Sequence, residues 1–295
     1  MTNNPPLPTN SAETPPEPNL EKRLLLGGAV ALGAGFAAAL TPQQALAQAV
    51  ENGIPANSVL AKVGRGSALQ VGFAQTPLWF YRDPKTGRLH GVYKDLVDIL
   101  AGELRVKVAW HEVSFGNLTL GLRKGDFDLF GSSAVYTVPR ALVADYIGPL
   151  WSKGELVIVR KDNAAKYVTI ADLNQPGVIF SVAAGSSEQD TMPKLFPKAK
   201  FIAVAGPIAL GAEPVRTGRA TAFVVGDSDA LAFAKKNASW AHVVDPSHPF
   251  GKRPNTWMIR YGDAAWTNFL NMWAQFVTVH GTVKQLYDKY LTMLT

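Results

Sequence analysis

Arg140 is the residue whose type and position point most directly to a chemistry. Upstream of it, Gly125 is predicted to end a helix and Phe127–Gly131 to form a short apolar strand. Thr137 and Pro139 then predict an N-cap and the first turn of a helix that carries Arg140. A guanidinium at a helix start can hold a carboxylate through two parallel hydrogen bonds, and loops at strand ends form the ligand crevice of open α/β sheets. The pattern therefore predicts a carboxylate-binding site at Arg140.

A similar arrangement recurs later in the chain and ends in an acid. A helix is predicted to end at Gly218, a strand to follow at Phe223–Val225, and Asp227 to lie at the strand end. An arginine and an aspartate contributed by two such α/β units would suit a zwitterion held between two lobes. Asp227 could instead cap the helix that follows it, in which case Asp229 is the alternative acid.

The N-terminus has the pattern of a secretory signal peptide. A basic pair at 22–23 precedes an apolar run at 24–40, and small residues follow up to Ala47 and Ala49. A membrane anchor is the structural alternative, but the glycines in the run and the small-residue pattern favour cleavage. Residues 1–47 are therefore predicted to be removed on export, and the lysine–arginine pair leaves open which export route is used.

Composition and motifs exclude several classes of function. The chain is 47% hydrophobic, carries a formal charge of +6 and has no cysteine, so neither disulfides nor a lipid anchor on an N-terminal cysteine is available. The basic residues are scattered without a basic run interleaved with aromatics, which argues against nucleic-acid binding. No metal, cofactor, serine-hydrolase or nucleotide motif is recognised, and Asp126 and Asp128 read as turn and strand-edge residues. We expect a soluble periplasmic protein that needs no cofactor.

The coarse pattern predicts an α/β protein with two units. Strands are predicted at Leu69–Phe73, Val106–Trp110, Glu155–Arg160, Val178–Val182 and Thr256–Arg260, and helices at Asp95–Leu104 and Asn117–Lys124 with two amphipathic helices at the C-terminus. A charged segment at 161–166 is predicted to open the second unit. Ser186 and Gln189 fit a capping box, so another helix start is expected near a strand end.

The order and spacing of these motifs resemble the family 3 extracellular solute-binding proteins, the periplasmic amino-acid receptors of ABC importers. The residues that carry the resemblance are Leu69–Phe73, Gly91 with Asp95 and Leu96, Leu122–Asp128, Thr137–Arg140, Gly185–Glu188, and Gly218–Ser228. The resemblance implies a type II periplasmic binding protein: two α/β lobes, each a sheet flanked by helices, joined by two crossover strands. Lobe 1 would comprise 50–157 plus 258–295 and lobe 2 would comprise 158–257. It also implies a monomer that hands its ligand to the membrane permease of an ABC importer.

The resemblance assigns roles to particular residues. Arg140 would grip the α-carboxylate of the ligand, Asp227 would hold an α-ammonium, and Trp79 or Phe80 would pack on the ligand side chain. Ser133, Thr137 and Ser187 complete the predicted site. The sequence departs from the family pattern at Pro77–Phe80 and at Tyr146–Trp151, so the nature of the ligand side chain is not predicted.

An enzyme on the same fold is the alternative function. A cyclohexadienyl dehydratase, which expels water and carbon dioxide from prephenate or arogenate, would need a general acid in the cleft. Glu188 is the only candidate within the motifs. Glu188 is more simply interpreted as a first-turn acid favoured by the helix dipole, so we expect a binding protein rather than an enzyme.

Overall fold

A nine-stranded mixed sheet forms the centre of the protein in the computed structural model, which describes residues 41–51 and 53–294. Along the main path of this sheet the strand order is β4-β1-β5-β11-β6-β9-β7-β8, and β10 pairs with β6. A separate two-stranded sheet contains β2 and β3. The strands are β1 Leu69–Phe73, β2 Tyr81–Arg82, β3 Leu89–His90, β4 Val108–Glu112, β5 Leu129–Val135, β6 Ala144–Arg160, β7 Ile179–Ala183, β8 Lys200–Val204, β9 Ala222–Gly226, β10 Ala241–Val244 and β11 Phe250–Arg260.

Helices flank the sheet, as the alternation of strands and helices along the chain requires. They are α1 Pro42–Glu51, α2 Val59–Gly64, α3 Val92–Leu104, α4 Leu118–Lys124, α5 Val138–Ala141, α6 Ser187–Leu195, α7 Glu213–Arg216, α8 Asp227–Lys236, α9 Ala264–Val279 and α10 Thr282–Leu294. The predicted first strand matches β1 in both bounds, and the two predicted C-terminal helices are α9 and α10.

Two parallel blocks of strands are connected by two antiparallel strands. β1 pairs in parallel with β4 and β5, and β7 pairs in parallel with β8 and β9. Between the blocks, β6 and β11 run antiparallel to each other. Apolar clusters pack on each block, one group around β1 and α3 and another around β7 and β9. We call the β1 block the first lobe and the β7 block the second lobe.

The two connecting strands are longer than the sequence indicated. β6 has 17 residues and β11 has 11, whereas Glu155–Arg160 and Thr256–Arg260 were predicted. Gly148 and Pro149 inside β6 read as strand breakers, yet the ladder with β11 continues on both sides of them. The predicted lobe boundaries at 157/158 and 257/258 fall inside these two strands and stay a prediction.

Other element boundaries differ by a few residues. The strand predicted at Phe127–Gly131 is β5, which starts at Leu129. The carboxylate of the preceding Asp128 accepts hydrogen bonds from the backbone N–H of Gln70 and from Lys62. The far end of β5 extends to Val135, where it pairs with β11. The helix predicted from Asp95 begins three residues earlier, at Val92.

The predicted signal peptide lies mostly outside the described residues. Of residues 1–47, only 41–47 are described, and most of them fall in α1. Within 41–51 and 53–294, no helix has the length and apolar character needed to cross a membrane.

Candidate functional site

Arg140 lies where the two lobes meet. It sits on the short helix α5 that follows β5, and only 8% of its surface is exposed. Its Nη2 donates to the backbone carbonyl of Gly185 in the second lobe at 2.5 Å. Arg140 forms no ion pair with any residue of 41–51 or 53–294. A nearly buried guanidinium without a counterion is suited to receive an anion.

The predicted N-cap at Thr137 is present, but its expected bond is not. Thr137 precedes α5 in an extended conformation, and its buried hydroxyl has no hydrogen-bond partner among residues 41–51 and 53–294. α5 has only four residues, so the anion-binding contribution predicted for a helix start is small there. The guanidinium itself supplies the positive charge.

A small cavity of about 20 Å³ adjoins Arg140 at the junction of the lobes. Its lining combines hydroxyl, charged and apolar side chains: Thr76, Phe115, Ser133, Val135, Arg140, Lys153, Ser186, Ser187, Glu188 and Ile208. Three of the predicted site residues, Arg140, Ser133 and Ser187, are therefore brought together. The Thr76 hydroxyl is buried and has no hydrogen-bond partner in the described part of the chain, and Ser133 donates to Asn255 Oδ1 at 2.9 Å.

The lobes contact each other directly around this cavity. Gly185, at φ +73°, lies so close to Gly116 that an added Cβ would be 2.6 Å from the Gly116 Cα. Trp79 of the first lobe donates from Nε1 to the Ser228 hydroxyl of the second lobe at 3.0 Å. The described arrangement is therefore a closed one, with the cavity covered from both sides.

A buried cluster of charged residues lies beside the cavity, at the connecting strands. Lys153 Nζ donates to Asp229 Oδ2 at 2.5 Å, and both side chains are almost fully buried. Arg253 Nη2 donates to Glu155 Oε1 at 2.5 Å, and Glu155 is 0% exposed. Lys153 and Arg253 face each other in the β6–β11 register, and the buried Glu188 lies in the field of both cations.

The pKa values of the carboxyl groups in this cluster are shifted in different directions. Burial raises the pKa of Glu155 well above its usual value, and Glu188 raises it further, while Lys153 and Arg253 oppose the shift. Burial likewise raises the pKa of Asp229 to about 6 against the attraction of Lys153. For Glu188, burial favours the neutral form, but the Lys153 and Arg253 charges outweigh it and lower the pKa. Glu188 is therefore ionised at neutral pH.

The two predicted aromatic residues have different surroundings. Phe80 stacks on Phe73 with ring centroids 4.4 Å apart and packs edge-on against Trp110, so it belongs to the core of the first lobe. Trp79 is also fully buried, but its indole reaches Ser228 and its ring lies 6.0 Å from Lys153 Nζ. Neither is among the residues that line the small cavity, whose aromatic member is Phe115.

Asp227 is placed at the first position of α8, outside the cavity lining. Its Oδ1 accepts from the N–H of Ser228 at 2.7 Å and its Oδ2 accepts from the N–H of Gly154 at 3.0 Å. Both carboxylate oxygens thus hold backbone groups of the protein. Contact between Asp227 and a ligand stays a prediction.

The charged residues Lys153, Glu155 and Arg253 were not predicted as part of the site. A signal for the first two was available, because residues two apart in a strand face the same side. Lys153 and Glu155 interrupt an otherwise apolar β-prone segment with opposite charges on one face. Such a pair at the start of a buried strand indicates an internal charge cluster.

The sequence also matches a known family over most of its length. The family described as bacterial extracellular solute-binding proteins, family 3, matches residues 69–293. The chain belongs to this family. A relative from Sinorhizobium fredii, described as a probable amino-acid ABC transporter periplasmic-binding protein, is 30% identical over 161 residues. That alignment covers 53% of this chain and 53% of the relative, so the chain matches about half of the relative's length.

Solved structures of similar proteins share the fold. The ancestral amino acid-binding protein AncCDT-1, a precursor of cyclohexadienyl dehydratase, has a TM-score of 0.70 and 31% identity, with 79% of this chain and 100% of that chain covered. A proposed binding component of an ABC transporter from Wolinella succinogenes, complexed with lysine, has a TM-score of 0.69 and 25% identity, with 77% and 96% covered. This family 3 protein therefore has the two-lobed type II binding-protein fold, as predicted.

Proposed function

We propose that this solute-binding protein captures an amino acid or a similar small carboxylate between its lobes and delivers it to the permease of an ABC importer. The observation that carries the proposal is the nearly buried guanidinium of Arg140, which has no ion pair within the described residues and lies at a cavity lined by both lobes. Relatives described as amino-acid-binding proteins support the ligand class. Export to the periplasm and action as a monomer belong to the same proposal.

In this proposal the ligand carboxylate accepts two parallel hydrogen bonds from the Arg140 guanidinium. The hydroxyls of Ser133 and Ser187 line the same cavity as Arg140. Thr137 lies three residues before Arg140, and its buried hydroxyl has no hydrogen-bond partner within the described residues. Packing of Trp79 on the ligand side chain stays a prediction, and in this proposal Trp79 also closes the site through its hydrogen bond to Ser228. A ligand that touches both lobes favours the closed state because it gains its full set of contacts only there.

Capture without chemical change is favoured over the dehydratase alternative. A general acid must carry a proton near neutral pH, and Glu188 is the acid among the described residues that line the cavity. The cations around Glu188 lower its pKa below the ordinary value, which keeps it ionised. Glu188 is therefore better suited to balance Lys153 and Arg253 than to donate a proton.

The test is Arg140→Met, assayed with ligands found by a thermal-shift screen of purified protein that has been stripped of bound solute. The variant should lose about 2 to 5 kcal/mol of binding free energy while keeping its fold, because the carboxylate loses two charge-assisted hydrogen bonds in a drier cleft. Arg123→Met is the matched control, since Arg123 is exposed on α4 and should bind normally. Unchanged affinity in Arg140→Met by calorimetry would remove Arg140 from the site and with it the proposal.

A further inference from the structure

A second cavity lies directly beside the one at Arg140. It has a volume of about 220 Å³, and its lining comes from residues 74–75 and 112–115 of the first lobe and residues 206–208 of the second. We call it the outer cavity and the one at Arg140 the inner cavity. Phe115 and Ile208 line both, so these two side chains form the wall between the cavities.

The inner cavity has room only for the carboxylate end of a ligand. Its volume of about 20 Å³ is too small for a whole amino acid. On the side of β6 the space is filled by Lys153 and Glu188, which are 4% and 6% exposed. On the other side, Phe115 of the first lobe packs against the apolar cluster that contains Ile208 of the second lobe. Opening of the lobes separates this wall, so a ligand side chain can extend past it into the outer cavity.

The outer cavity is apolar next to the wall and acidic beyond it. Ala74 and Val113 add apolar side chains to those of Phe115 and Ile208. Glu112, at the end of β4, lines only the outer cavity and is the one charged residue among the described residues of its lining. An apolar passage that leads to a carboxylate suits a side chain with an aliphatic stem and a cationic end.

The carboxylate of Glu112 has room for a further donor. Its Oε1 accepts from Gln75 Nε2 at 2.6 Å, and its Oε2 accepts from Arg82 Nη2 at 3.3 Å. A carboxylate offers about four lone-pair sites, so two donors do not saturate it. The side chains of Arg82 and Glu112 are 42% and 43% exposed, which makes their ion pair a weak one. A ligand cation between the closed lobes is screened less by solvent than Arg82 is.

We propose, resting on the function proposed above, that the ligand is a basic amino acid whose α-carboxylate binds Arg140 and whose side-chain ammonium or guanidinium binds Glu112 in the outer cavity. The methylene stem of the ligand then lies between Phe115 and Ile208. Glu112 is the specificity-determining residue, and Gln75 positions its carboxylate through their hydrogen bond.

The first experiment compares ligands that differ only at the end of the side chain. Calorimetry on stripped wild-type protein uses lysine with norleucine, which keeps the four-carbon stem and lacks the ammonium group. It also uses arginine with citrulline, which has nearly the same shape and no charge. In the tighter-binding pair the basic member should bind about 10-fold or more tightly than the neutral one, because the neutral ligand loses a charge-assisted hydrogen bond.

Matched variants ask whether Glu112 and the outer cavity cause the preference. Glu112→Gln should bring the affinity ratio close to one. Glu213→Gln is the control, since it removes an exposed Glu–Arg pair outside both cavities and should leave the ratio unchanged. Ser114→Trp, made at an exposed position, places an indole in the outer cavity and should weaken binding of lysine and arginine more than binding of alanine. Circular dichroism checks that each variant is folded.

The outcomes separate this inference from the proposed function. Tighter binding of norleucine and citrulline than of lysine and arginine by the wild type, with Arg140→Met unable to bind them, would overturn the inference and leave the function standing. An unaltered ratio in the folded Glu112→Gln variant would also overturn the inference. Binding of no amino acid and no other small carboxylate would overturn the proposed function and the inference together.

Discussion

A nearly buried guanidinium is stable only if its charge is met by dipoles, counterions or a ligand, and Arg140 has a single backbone carbonyl at hydrogen-bonding distance from Nη2. Each of the other two cations at the lobe junction, Lys153 and the partly buried Arg253, has a carboxylate at 2.5 Å. Lys153 and Arg253 are neutralised by carboxylates of the protein, whereas the charge of Arg140 is available to a ligand. This difference is the reason that Arg140, rather than Lys153 or Arg253, is assigned to the ligand carboxylate.

The Lys153–Asp229 pair should make the free energy of unfolding depend on pH. Burial raises the pKa of Asp229 from 3.8 to about 6, so between these values the folded carboxyl is still protonated while the unfolded one has ionised. Folding then takes up a proton, and the contribution of Asp229 to stability falls as the pH rises from about 4 to about 6. Urea unfolding of the wild type and of Asp229→Asn across this range should show a steeper decline in the wild type, by on the order of 2 kcal/mol, because the raised pKa of Glu155 contributes equally to both proteins. Parallel curves would mean that Asp229 titrates normally.

Part of this site could be predicted from residue patterns alone. Arg140, Ser133 and Ser187 were predicted and lie in one cavity lining, because strand ends and helix starts are readable from local sequence. The environment of Lys153 could not be predicted, since a lysine in a strand looks the same whether it faces solvent or a buried aspartate. Its burial depends on the β6–β11 ladder and on the packing of α8, which are long-range features.

The side chain of Lys153 crosses the end of β9 and packs directly against Gly226. Gly226 has an ordinary negative φ of −52°, so its requirement is one of space and not of backbone conformation. Gly226→Ala should destabilise the protein by about 1 to 3 kcal/mol because the new methyl group would overlap Lys153. In a Lys153→Ala background the same change should cost much less.

Gly226→Ala in the wild type and in the Lys153→Ala background together form a double-mutant cycle, which supplies its own control. Replacing glycine at the N-cap of α8 has a cost that is common to both backgrounds and cancels in the comparison. Equal destabilisation in the two backgrounds, measured by urea unfolding, would show that Gly226 is required for the cap and not for Lys153.

At the level of elements, the short local signals were predicted best. β1 was predicted to the residue, and Gly125 ends α4 in the left-handed conformation, as its position indicated. The full length of β6 was not predicted, because a Gly–Pro pair inside a strand reads as a break unless its partner strand is known. The pairing with β11, more than a hundred residues away in sequence at some positions, continues the strand past that pair.

Export is the prediction that concerns the chain as a whole. Because small residues directly follow the apolar run at 24–40, cleavage is expected after Ala47 or Ala49. The intact mass of the protein, purified from the periplasmic fraction of a bacterial host, should match a chain that begins at Gln48 or Val50. Recovery of the chain in the membrane fraction with residues 24–40 retained would show an anchor instead.

The lobes must open for a ligand to reach Arg140. In the described arrangement the cavity is covered by the contacts of Gly185 with Gly116 and of Trp79 with Ser228, and its volume of about 20 Å³ is too small for an amino acid. Capture therefore requires a more open state, from which the lobes close on the ligand by hinge motion at β6 and β11.

Small-angle X-ray scattering of the stripped protein, recorded with and without a saturating carboxylate identified by the screen, tests this account most directly. The radius of gyration should fall on addition of the ligand, and the melting temperature should rise in the same samples with a shift set by ligand concentration. Arg140→Met should show neither change at the same concentration. An unchanged radius of gyration, in a sample that calorimetry shows to be saturated, would place the ligand outside the junction of the lobes and contradict the account.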